Sequence, residues 1–385
     1  MGMLGSLDTP IARMRAGSAL ALTAALLAWA APAAAAETRA YALSWFSLAP
    51  YSEEGDCSQG LNPTSEQIAR RILAEQGKSK AEIEKLMVDF PYNYMNYGPN
   101  RGKRDGKAAN VYTFPMSVPD PKIRLVDGKH ALGFNLDGKV KPGDFTDPET
   151  GEAGVDNEFW RVMGCFISMR GTLKLRPTWA EIQWDMVRDL MPALVVEVTG
   201  IDDPQNDDEV EVGFYRAREP IVRSVSGAPQ PDMTFRVDPD KRLRNQVRGR
   251  IKNGLLTTDV FDFYMIADPF LQPRFDVKQA RLRLTMEADG TVKGILGGYS
   301  SWEDFYVSLA TGGTTKESMV SLDLPGIYYA FRNRADGAEV KPDTGVRTHI
   351  SAAYQFEGVA AFLRHPPAGD KTAAAPPATR AASAQ

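Results

Sequence analysis

Apolar and polar residues alternate along several short stretches of the second half of the chain, the period-two pattern of strands with one buried face. Ala280, Leu282, Leu284 and Met286 alternate with Arg281, Arg283, Thr285 and Glu287, and Asp289-Gly290 then turns the chain into residues 292–296. That pair predicts one apolar face and one largely cationic face in water. Residues 247–251 and 255–260 flank Lys252-Asn253-Gly254, and Asn-Gly is a favoured tight-turn pair. Residues 193–198 and 210–215 predict a third hairpin, with Asp202, Asp203, Asp207 and Asp208 at its tip. Residues 40–48 read as a first buried strand, and 348–363 as one or two final ones.

Helical spacing is rarer. Thr64 with Gln67, and Ser79 with Glu82, are two capping boxes, and Gly77 between them suits a left-handed helix stop. Ile68, Ile72, Ile83, Leu86 and Met87 then give each helix of an N-terminal αα-hairpin (near 65–90) one apolar face. A second helical pattern covers 179–191 and ends at Pro192. Residues 159–167 fit a short helix or a buried strand, and Ser300 with Glu303 opens a helix running through Leu309. Many short strands with tight turns, not alternating with long helices, predict a mainly β fold: an antiparallel β-sandwich or barrel with short decorating helices.

The two ends read differently from the middle. Arg13 and Arg15 precede an apolar run at 19–31, and Ala34-Ala35-Ala36 offers small residues for cleavage before Glu37. Residues 1–36 therefore read as a signal peptide, which predicts a periplasmic or secreted protein. No later segment is apolar enough to cross a membrane as a helix. Residues 37–114 hold the first strand, the helical hairpin and a Tyr-rich loop, 115–365 the β-rich core with its acidic loops, and 366–385 an Ala/Pro/Ser/Thr tail without hydrophobic pattern. In an oxidising compartment Cys57 and Cys165, the two cysteines of the chain, are expected to pair.

Charge narrows the partners. A net charge of −4 argues against nucleic acid, whose phosphates require a concentrated basic surface. The stretch from 132 to 165 gathers acids among glycines before an aromatic run. Asp137, Asp144, Asp147, Asp156 and Asn157 there are candidate ligands of a structural Ca2+, since calcium takes oxygens from a loop that bends around it. The EF-hand register does not fit, because Gly133 stands where the first acid belongs. A solvated acidic loop is the alternative. Tyr92, Tyr94 and Tyr97, beside a basic run, and Trp302 in a second aromatic stretch, are candidates for stacking on a ligand ring; packing against the core is the alternative for each.

No nucleotide-binding, haem, flavin, zinc-protease or serine-hydrolase motif occurs, and three histidines leave little material for an imidazole metal site. The pattern points to an exported non-catalytic envelope binding or accessory protein, taking a small molecule, a glycan or an envelope protein. A carbohydrate-active hydrolase or lyase using a pair of carboxylates is the alternative, and a structural assembly protein with no pocket the third reading.

Overall fold

Strand β1 (Glu37–Leu48) is buried along most of its length and hydrogen-bonded along both edges, pairing antiparallel with β6 (Pro192–Ile201) on one side and β14 (His349–Arg364) on the other. That double pairing closes a barrel. The computed structural model describes residues 36–170, 191–266 and 275–367. From β6 the sheet runs through β7 (Asn206–Pro220), β9 (Arg244–Lys252), β10 (Leu255–Thr258), β12 (Phe275–Met286) and β13 (Thr291–Ser301) to β14. Strand β11 (Phe261–Met265) continues the stave of β10 along the same edge of β12. The result is an eight-stave antiparallel barrel, so of the two expected architectures the barrel is the one formed. Neighbouring staves are also successive barrel strands in the chain, an up-and-down order.

The hairpins read from alternation are all present, with β9–β10 turning at Asn253 and Gly254, both at positive φ. The final strand is one element of 16 residues. Strand β8 (Met233–Arg236) adds in parallel beside the end of β14, outside the barrel. Between β1 and β6 lies a long insertion carrying two small hairpins, β2–β3 (Gly102–Arg104, Lys107–Ala109) and β4–β5 (Phe145–Thr146, Ala153–Val155).

The barrel is filled. Phe46, Phe214, Phe263, Phe275, Tyr354 and Phe356, from five different strands, form one set of ring contacts with centroids 4.9–6.4 Å apart. A barrel of eight strands has an interior that such side chains fill. Gly294 leaves the space that the ring of Phe356 occupies, since a Cβ there would lie 2.2 Å from it.

Helices decorate the barrel. Helices α1 (Ser65–Glu75) and α2 (Lys80–Met87) both carry the expected capping boxes, and Gly77 between them has φ +81°. The short α3 (Tyr94–Tyr97) follows. Residues 159–167 prove helical at α4 (Glu158–Met163). Helix α5 (Trp302–Thr311) starts one residue later than expected, capped by Ser301 on the amide of Asp304. Helices α6 (Gly313–Met319) and α7 (Leu324–Arg334) complete the set. The hydrophobic core continues from the barrel into α4, α5 and α7 through Phe159, Phe305 and Phe331. Cys57 and Cys165 form a disulfide with Cα atoms 5.9 Å apart. Residues 1–35 of the leader, the tail from 368 and the helical pattern of 179–191, apart from Met191, lie outside the described residues.

Candidate functional site

The acidic loop lies against the outside of the barrel, and it changes the reading of two features at once. Its residues Leu132, Phe134 and Leu136 pack on Ile295, Tyr299 and Ala353. The face of β12 expected in water is therefore covered: Arg281 donates to the carbonyls of Asn135 and Leu136, and Arg283 is 4% exposed. Arg283 donates to Asp147 at 2.8 Å and to the carbonyl of Gly133 at 3.3 Å. Asp147 has no exposed surface, and it also accepts from the amides of Gly133, Glu149 and Thr150 and from the Thr150 hydroxyl. Burial pushes its carboxyl up, but Arg283 and these amides outweigh burial and hold it below the ordinary carboxylate range.

The five proposed calcium ligands each bond to the protein itself, and Asp137, Asp144 and Asp156 share the positive charge of Lys141. Asp156 accepts from the amides of Leu136 and Asp137, with burial raising its pKa. Asp137 pairs with Lys141, whose hydrogen bond lowers it, and Asp144 accepts from the amide of Lys141 at 2.6 Å. Asn157 caps α4, accepting from the amide of Trp160 and donating to the carbonyl of Leu132. Each already has a hydrogen-bond or ion-pair partner within the protein, and no group of three or more His, Cys, Asp or Glu among the described residues is placed to hold a metal. The cation that answers the centre of this loop is the guanidinium of Arg283. At the other acidic tip, Asp207 accepts from the amides of Asp202 and Glu209 and closes its own turn.

The proposed aromatic ligand contacts are also dispersed. Tyr94 is buried and donates to Glu317 at 2.6 Å; Tyr112 donates to the same carboxylate, and Arg101 grips it through both terminal nitrogens at 2.8 and 2.9 Å. This locks the segment around α3 to α6. Tyr97 packs edge-on against Tyr94, while Tyr92 is 80% exposed. Trp302 is buried, with its indole N–H donating to the carbonyl of Arg347. Tyr94 and Trp302 are thus core residues.

A cleft of about 720 Å³ opens where the insertion meets the helices, between residues 123–129, residues 143–146, α4 and the end of α7. Its frame is set by Arg161 of α4, which donates to Glu158 at 2.7 Å, to the carbonyl of Gly143 at 2.7 Å and to that of Val126 at 3.2 Å, while stacking 4.0 Å over the ring of Phe145. The backbone adds Val126 N–H to Arg161 and Thr146 N–H to Lys129. Ile123, Leu125 and Val126 give the cleft an apolar strip, and Arg124, Lys129, Arg161 and Arg334 line it with cations. Its carboxylates are Asp127, which accepts from the amide and hydroxyl of Ser58, and Asp144. Of these residues the sequence pattern singles out Asp144, as a candidate calcium ligand. Residues from 59 to 334 meet here without a local motif, so no spacing could have revealed the cleft.

A buried carboxyl that shares Ser351 with the start of α4 also departs from its ordinary behaviour. Burial pushes the carboxyl of Asp336 up to about 6, against hydrogen bonding from Ser351, and the negative charges of Glu158 and Asp156 add to the rise. Its Oδ1 accepts from the amide of Ser351 at 2.7 Å, and the Ser351 hydroxyl accepts from the amide of Glu158. Comparison with known protein families, curated proteins and solved structures returned no match.

Proposed function

We propose that the chain is an exported, non-catalytic binding or accessory protein of the cell envelope. The observation that carries this reading is the filled barrel: with phenyl rings occupying its axis, it serves as a rigid scaffold, and a ligand or partner meets the outside. Export is supported by the leader pattern at the N-terminus and by the disulfide, a bond that persists in oxidising compartments. The carbohydrate-hydrolase reading draws on Asp336, a carboxyl raised towards neutrality as a general acid requires. Asp336 does not line the cleft, however, and has Ser351 rather than open space against its Oδ1.

Expression of the full chain with a C-terminal tag in a Gram-negative host, followed by osmotic shock, should release a shortened protein from the periplasm. The purified protein should leave soluble glycans intact, with reducing-end release at the blank level. Recovery of the uncleaved chain from cytosol or membrane, or measurable glycan turnover, would overturn the reading.

A further inference from the structure

We propose that the cleft beside α4 binds a small molecule through an anionic oxygen group, a carboxylate or a phosphate, with the apolar strip holding the rest of the ligand. The inference rests on the binding-protein reading and names the ligand class.

Charge balance is its first support. In a chain whose net charge is −4, this cleft brings together four cations and two carboxylates. The two carboxylates already accept hydrogen bonds, Asp127 from Ser58 and Asp144 from the amide of Lys141. Glu158 is shared by two of the cations, Arg161 at 2.7 Å and Arg334 at 3.7 Å, so one negative charge faces two positive ones. Among the described residues, no carboxylate lies within salt-bridge distance of Arg124 or Lys129; Arg124 donates instead to the carbonyl of Leu61. Positive charge is therefore in excess inside a concave, partly apolar site, where it attracts an anion more strongly than on a flat surface.

Preorganisation is the second. Arg124, Lys129 and Arg161 are carried on backbone that the disulfide, the Arg161 hydrogen bonds and the Asp56–Arg170 ion pair at 2.8 Å hold in place. A site whose frame is fixed loses less entropy on binding. The volume of about 720 Å³ lies in the range of small-molecule sites.

The test uses the mature chain as secreted, titrated by calorimetry with inorganic phosphate, with citrate and with glucose as a neutral control. Phosphate or citrate should bind and glucose should not, and added sodium chloride should weaken binding. Binding of citrate alone assigns a carboxylate ligand, and binding of phosphate alone a phosphoryl one. The double variant K129Q/R334Q, at exposed positions, should keep the wild-type circular dichroism and weaken anion binding by about tenfold or more. Failure of both anions to bind, or binding unchanged in K129Q/R334Q, would overturn the inference. Periplasmic release without glycan turnover would then leave the binding-protein reading standing with another surface as its site.

Discussion

Single side chains in this protein do work that their residue type does not announce. Asp336 is one acid among 49 in the chain, yet burial sets its carboxyl apart. Its folded pKa of about 6 lies above the ordinary value for an unfolded chain, so the folded state holds the proton more tightly. The stabilisation this gives is full below the unfolded pKa, near 4, and is lost as pH rises through 6. Asp336→Asn keeps an acceptor for the Ser351 amide and removes the charge. It should therefore be neutral near pH 4 and stabilise the protein at pH 7.5 by about 1–3 kcal/mol, read from urea unfolding at the two pH values. An equal effect at both would mean that the charge is not what matters. Nothing local to Asp336 signals this in sequence, because its like-charged neighbours sit far back in the chain, at Asp156 and Glu158.

Elements were legible wherever their signals are local. The capping boxes at Thr64 and Ser79, the Asn253-Gly254 turn and the alternation of β12 each depend on neighbours a few residues away, and all are present in the structure. What alternation could not give is what covers the polar face of a strand. Alternation alone puts Arg283 in solvent and residue type alone makes Asp147 a metal-ligand candidate, because the partners are 136 residues apart. Their pairing docks the acidic loop on β12. Replacing one member of a buried pair strands the other charge, at a cost of about 3–5 kcal/mol. Arg283→Met should lower stability by that order, and adding Asp147→Asn should restore part of it, since the charge is gone and the Asn oxygen still accepts from the amides of Glu149 and Thr150. Urea midpoints of the two variants test this. A double variant no more stable than Arg283→Met would show that the ion pair is not what holds the loop.

At the scale of the molecule, barrel and ornament are separable in their covalent reinforcement. The barrel seam joins β1 to β14, with Ala40 opposite Ala361, a pairing across most of the chain that period-two patterns do not encode. That is why alternation left sandwich and barrel both open. The disulfide reinforces something else. Its cysteines, 108 residues apart, both lie in the insertion between β1 and β6, where they tie residue 57 to the turn after α4. In the chain-entropy account, a closed loop of that length contributes on the order of 4–5 kcal/mol. Reduction should therefore lower the denaturation midpoint. Because the seam and the ring-filled interior involve neither cysteine, the first regions to open should be those the bond restrains. Hydrogen exchange after reduction should rise first across residues 50–170, with the amides of β12, β13 and β14 retaining their protection. A uniform rise through insertion and barrel would instead mean that the two unfold as a single cooperative unit, with the insertion as much a part of the barrel's stability as its own strands.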